Sequence, residues 1–143
     1  MKVQQISVFL ENKSGRLATL TRTLANENIN IRALSIADTT DFGILRLIVD
    51  KPDAAYLALK RSGFTVSETS VIAVAIPDHP GGLAGIMDVL AGAKINIEYL
   101  YALPEKTPDK ALVIFRVERL DDAIQVLQSH GIGVLKGEEV YGL

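Results

Sequence analysis

The chain has 143 residues, 48% of them hydrophobic and 22% charged, enough for one ordinary domain or two small ones. Fifteen Lys and Arg against 17 Asp and Glu leave a net charge of -2, so no basic field is available to neutralise phosphates or to hold an anionic membrane, and neither nucleic acid nor membrane is expected as a partner. The absence of Cys removes disulfides, thiolate catalysis and Cys-based zinc or iron–sulfur sites, and fits a reducing cytoplasm.

The opening residues Met1 to Val8 alternate like a strand rather than a signal segment. The longest apolar run, Val71 to Ile76, is far short of the roughly 20 residues that span a bilayer. A strand is predicted over Gln5 to Leu10, followed by a turn Asn12-Lys13-Ser14-Gly15 with Ser14 as helix N-cap. Leu17, Leu20, Leu24 and Ala25 then share one face of a helix that Asn26-Glu27-Asn28 stops. Ile29 to Ala37 and Gly43 to Val49 form an antiparallel pair. Lys51-Pro52-Asp53 starts a second helix that Ser62-Gly63 ends, and a last strand begins at Phe64.

The pattern then starts again. Gly15, Leu17, Ala18, Leu24, Ala25, Ile29, Asn30 and Ile31 recur as Gly81, Leu83, Ala84, Leu90, Ala91, Ile95, Asn96 and Ile97, an offset of 66 positions. Asp53, Ala55, Leu59 and Gly63 recur as Asp121, Ala123, Leu127 and Gly131 at an offset of 68. The second copy has therefore gained two residues, which the polar, proline-bearing stretch Leu103 to Lys110 would hold in a hairpin loop, against Asp38 to Asp41 in the first copy. From Val71 the second copy reads strand, turn through Gly82, helix to Ala91, strands at Ile95–Ala102 and Ala111–Val117, helix Asp121–His130 and a final strand. The fold class is α+β: two ferredoxin-like βαββαβ domains in tandem, over 1–69 and 70–143, with antiparallel sheets and helices on one face. Strands such as Ile44 to Val49 are apolar on both sides, so the far face or an edge should be covered by the other repeat or a second subunit, and a homodimer is expected.

The turn before the first helix of each copy, Gly15-Arg16-Leu17 and Gly81-Gly82-Leu83, could present helix N-terminal amides to a carboxylate. Glycine there serves equally to relieve a tight turn. Asn12 with Asn30, and Asp78 with Asn96, carry groups able to read an ammonium and a carboxylate, or act only as turn and strand-entry residues. An RNA-binding sheet would need aromatic stacking residues that are missing here, and a soft-metal carrier would need cysteines. His79 reads as an exposed turn residue and His130 as a cation at a helix C-terminus, so no convergent catalytic group is evident. Gly131 to Gly137 resembles a dinucleotide loop, but its third glycine is one place late and it reads as a strand with turn residues.

Leu10-Glu11-Asn12-Lys13-Ser14-Gly15-Arg16-Leu17 with Asn28-Ile29-Asn30-Ile31, and Pro77-Asp78-His79-Pro80-Gly81-Gly82-Leu83 with Lys94-Ile95-Asn96-Ile97, resemble the Asn/Asp-x-Pro-Gly-x-Leu turn and Asn-Ile strand of the ACT domain family. The resemblance covers essentially the whole chain. It implies a non-catalytic regulatory protein that binds a free amino acid at a domain interface, without a cofactor. Its implied ligand contacts are Asn12, Ser14, Gly15, Arg16, Leu17, Asn30 and Ile31 in the first copy, and Asp78, His79, Gly81, Gly82, Leu83 and Asn96 in the second. Ser14 stands where the family usually has Pro, and the second copy has Asp78 for Asn and an additional Gly82. A carboxylate at Asp78 would repel a ligand carboxylate, so the first copy is expected to bind more tightly. The alternative is a regulatory small subunit, similar to that of acetolactate synthase, acting mainly by binding a metabolic enzyme partner.

Overall fold

The computed structural model describes residues 1–38, 41–106 and 109–143. In chain order the elements are β1 (Val3–Glu11), α1 (Arg16–Asn26), β2 (Ile31–Asp38), β3 (Phe42–Val49), α2 (Pro52–Arg61), β4 (Thr65–Pro77), α3 (Gly82–Gly92), β5 (Ile97–Lys106), β6 (Lys110–Val117), α4 (Leu120–Ser129) and α5 (Gly137–Tyr141). The hairpin connections read at Asp38–Asp41 and Leu103–Lys110 include residues 39–40 and 107–108, which lie outside the described ones. The chain divides into two compact units, Gln4–Thr69 with Gly142, and Ser70–Tyr141 with Met1–Val3 and Leu143.

In the first unit the strands run in the order β2-β3-β1, antiparallel. Alternation puts Ile6, Val8 and Leu10 of β1 on the same face as Leu45, Leu47 and Val49 of β3, where they meet Leu20 and Leu24 of α1 and Ala55 and Leu59 of α2 in one buried cluster. Leu17 and Ala25, read as part of the same buried stripe, are exposed instead, so only the middle of α1 is pressed onto the sheet. In the second unit the order is β5-β6-β4, and Ile72, Val74, Ile76, Val113, Phe115 and Val117 pack against Ile86, Leu90, Ala123 and Leu127 of the two helices. Each unit thus lays two helices on one face of an antiparallel sheet, the ferredoxin-like arrangement.

The duplication extends to irregularities. Between Ile31 and Ala33 of β2 the register slips by one residue against β3, and β5 slips in the same way against β6 between Ile97 and Tyr99, 66 positions on. The two extra residues of the second copy do not enlarge a loop, as expected, but enter β5: the ladder passes from Ala102 opposite Val113 to Lys106 opposite Ala111, without a counterpart in β2.

Three boundaries differ from the reading of the sequence. The closing strand of the first copy and the opening strand of the second are one continuous strand, β4, of 13 residues. The final strand of the second copy shrinks to a bridge at Val134 on Val74, held by Ala75 N–H to Gly133 O at 2.9 Å and Leu135 N–H to Ala73 O at 2.9 Å. Gly131, in the left-handed region at φ 72°, and Gly133 leave little side-chain surface there to extend a ladder. The chain then turns into the short helix α5, which periodicity did not reveal.

Candidate ligand sites at the strand-to-helix turns

Gly15 and Gly81 are the N-caps of α1 and α3, with φ/ψ of 85°/-10° and 87°/-8°. That left-handed conformation requires glycine, so the turn-relief role of these residues is real. Ser14 is not the N-cap: the helix is entered one residue later, and no side chain caps either helix. The turns are drawn tight by the same backbone bonds. Lys13 N–H donates to Glu11 O at 2.8 Å and Arg16 N–H to Lys13 O at 3.3 Å; His79 N–H donates to Pro77 O at 3.0 Å and Gly82 N–H to His79 O at 3.0 Å. The first helical amide of each turn is therefore already engaged, which narrows the amide cradle read from the sequence. Gly82 is the first residue of α3 rather than part of the turn.

Around the first turn lies a cavity of about 180 Å³ lined by Asn12, Lys13, Arg16 and Leu17 together with Ile36 and Gly43. Its charges are mixed. Lys13 Nζ pairs with Glu11 Oε2 at 2.8 Å. That ammonium, with a smaller contribution from the Arg16 guanidinium, holds the Glu11 carboxyl below the usual carboxylate range. Arg16 lies over the Phe64 ring, 4.5 Å from its centroid, and its Nε is buried without a hydrogen-bond partner among the described residues.

A second cavity, of about 350 Å³, lies in the second unit beside α3. His79, Gly81 and Gly82 line it, but Asp78 and Leu83 do not. His130 and Lys110 also border it, neither of which the sequence placed at a site. His130 is the C-cap of α4, its ring held by Nδ1 to Val126 O at 2.9 Å, as its position before Gly131 suggests.

The two carboxamide positions do not meet their turns within a unit. Asn12 N–H bonds to Asp41 O at one end of β3, whereas Asn30 exchanges bonds with Asp50 beyond the other end. The eight residues of β3 lie between Asp41 and Asp50, nine steps of extended chain or roughly 30 Å at strand rise. Asp78, bonded to Asp109 O, and Asn96, bonded to Glu118, are separated in the same way. Ile31 follows Asn30 at that remote end. Among the described residues, no group of three or more His, Asp or Glu could hold a metal ion, and no helix is long and apolar enough to cross a membrane.

Tandem βαββαβ units with glycine turns at corresponding places define a duplicated, ferredoxin-like type of protein. Residues 1–141 match the family model described as an ACT domain pair, and the chain belongs to this family. A crystal structure of a protein from Bacteroides thetaiotaomicron is 43% identical, with a TM-score of 0.95, covering 100% of this chain and 98% of that one. The fold is shared with the ligand-free regulatory subunit of aspartate kinase from Thermus thermophilus, at 17% identity and a TM-score of 0.63 over 88% of this chain and 91% of that one. The corresponding subunit from Thermus flavus is 16% identical, with a TM-score of 0.61 over 88% and 90% of the two chains. No curated protein matches the sequence.

Proposed function

We propose that the chain is a non-catalytic regulatory protein, with ACT domains over 1–69 and 70–143, that binds a small free amino acid at an interface between domains of two chains. The observation that carries this reading is the cavity at the first turn, which Glu11, Asn12, Lys13, Arg16 and Leu17 line together. Arg16 would take the ligand carboxylate and Glu11 would attract its ammonium, with Asn12 and the turn residues Ser14, Gly15 and Leu17 around it. Because Asn30 lies roughly 30 Å from the turn of its own unit, its carboxamide and Ile31 would be supplied by the second chain of a homodimer. Exposed Leu34 and Ile36 on the edge strand β2 offer apolar surface for such an association. Asp78, His79, Gly81, Gly82, Leu83 and Asn96 would form the corresponding, weaker set in the second copy.

Ligand would bias association or conformation by its differential affinity for two states. The cysteine-free composition supports a cytoplasmic location as part of this reading. Thermal-shift measurements with each of the twenty amino acids test the reading, since a ligand at 100 times its Kd adds about 2.7 kcal/mol. One amino acid should raise the Tm, and Asn12→Ala and Asn30→Ala should each remove that rise. A flat response to all twenty at millimolar concentration would end the proposal. A second reading, a subunit acting mainly through a catalytic partner protein, is favoured by Phe9, Phe42 and Ile44. They are 48%, 43% and 40% exposed on the sheet face away from the helices, with the two rings stacked at 4.9 Å. The fold shared with aspartate kinase regulatory subunits fits the same output.

A further inference from the structure

Helices α1 and α3 are counterparts in the repeat, and their outer faces carry opposite charges at the same place. Arg22 lies near the middle of α1 and Asp88, 66 positions on, near the middle of α3. Both are exposed, and no ion pair or side-chain hydrogen bond holds either of them among the described residues. Asp88 is the one charge of α3, and Arg16, the other charge of α1, is half-buried over the Phe64 ring. On each helix an exposed alanine precedes the charge by four residues and another follows it by three: Ala18 and Ala25 about Arg22, Ala84 and Ala91 about Asp88. Those spacings put the three residues on one helix face. Beside Asp88 a cavity of about 340 Å³ opens, with Val89, Ala93 and Val126 as its apolar wall.

We propose that these two faces bind each other between two copies of this chain, α1 of one copy packing antiparallel on α3 of the other with Arg22 paired to Asp88. An antiparallel crossing at the midpoints sets the two charges opposite each other with small residues on either side, Ala18 toward Gly92 and Ala25 toward Gly85. Such residues let the axes approach to roughly 8 Å, the close end of helix spacings. The aliphatic stem of Arg22 then lies in the cavity against Val89, Ala93 and Val126, while its guanidinium reaches the Asp88 carboxylate. The same charges disfavour the other pairings: α1 on α1 sets Arg22 against Arg22, and α3 on α3 sets Asp88 against Asp88. Two copies related by a two-fold axis make the contact twice. The surface uses neither the edge strand β2 nor the glycine turns, and it needs no ligand.

Charge reversal in the full-length chain tests it, with association followed by sedimentation velocity at rising protein concentration. Arg22→Glu and Asp88→Lys change exposed positions to good helix formers, so the circular dichroism of the folded protein should be retained. Each variant alone sets like charges against each other at both contacts and should associate about tenfold or more weakly than the wild type. Mixing the two variants in equal amounts makes both contacts attractive again, so mixed pairs should form with an affinity near that of the wild type. The doubly reversed chain, Arg22→Glu with Asp88→Lys, should also recover. Association of the wild type should weaken with added salt. Pairing through β2 would persist in every variant, so a mass that no reversal changes would overturn this surface and leave the proposed function standing. Recovery in the doubly reversed chain without recovery on mixing, or a wild-type protein that stays monomeric at every concentration, would also overturn it.

Discussion

Three glycines within five residues, Gly81, Gly82 and Gly85, should respond to alanine in three different ways. At Gly81 a Cβ meets nothing within 4 Å, but φ is 87°, so Gly81→Ala costs only the left-handed backbone penalty, about 1–2 kcal/mol. At Gly82 the Cβ would lie 1.9 Å from the Pro77 carbonyl oxygen and 3.0 Å from its carbon. Backbone atoms cannot rotate aside, so the start of α3 must lift from the end of β4, at about 3 kcal/mol or more. At Gly85 the backbone is helical and the space open, so Gly85→Ala should stabilise by about 1 kcal/mol. Urea unfolding followed by far-ultraviolet circular dichroism gives the three differences directly. In thermal scans about 1 kcal/mol corresponds to roughly 3–4 °C for a chain of this size. A Gly82→Ala variant no less stable than Gly81→Ala, or a destabilised Gly85→Ala, would refute the assignment of one glycine to close approach, one to backbone conformation and one to open space.

Other expectations concern packing, capping and charge. Phe115, fully buried against the helices of the second unit, should cost about 3–5 kcal/mol on truncation to Ala, read as a lower urea midpoint. Arg119 donates from one guanidinium nitrogen to Ala93 O at 3.0 Å and Lys94 O at 2.8 Å, closing the end of α3, whereas its counterpart Lys51 reaches, among the described residues, Asn28 O at 2.9 Å. Arg119→Ala should therefore destabilise by about 1 kcal/mol and by more than Lys51→Ala, in the same unfolding assay. The Glu11 carboxyl titrates below its ordinary value because of Lys13. A depressed folded-state pKa gives a contribution that is present above the unfolded value and lost as pH falls through the folded one. Lys13→Ala should move the Glu11 titration upward in carboxyl carbon NMR; an unmoved titration would remove Lys13 as the cause.

The repeat made most of the fold legible. An offset of 66 positions paired Gly15 with Gly81 and Asn30 with Asn96, and the structure gives these pairs the same backbone setting down to the register slip in β2 and β5. Short-range signals were less reliable where two principles competed. Ser14 has the chemistry of an N-cap, but Gly15 alone can take the left-handed angle that opens α1, and geometry prevailed. Helix α5 is five residues long, too short for a periodic stripe. Its one signal was Glu139, whose Oε1 accepts from Lys136 N–H at 2.9 Å in the manner of half a capping box. At the candidate sites, the sequence grouped Asn12 with Asn30 because both flank a glycine turn, but spacing along a chain carries no record of which end of a strand a residue reaches. Lys110 and His130 were missed at the second cavity for the converse reason, since they come from a strand and a helix end remote from the turn in sequence.

The shared strand β4 has a practical consequence. Where most tandem modules are joined by a spacer that a protease can find, here the border between repeats falls inside one strand, at Thr69 and Ser70. Cutting the gene at that border would halve a strand and leave each fragment with a frayed stump, so the repeats should be produced and studied as one polypeptide.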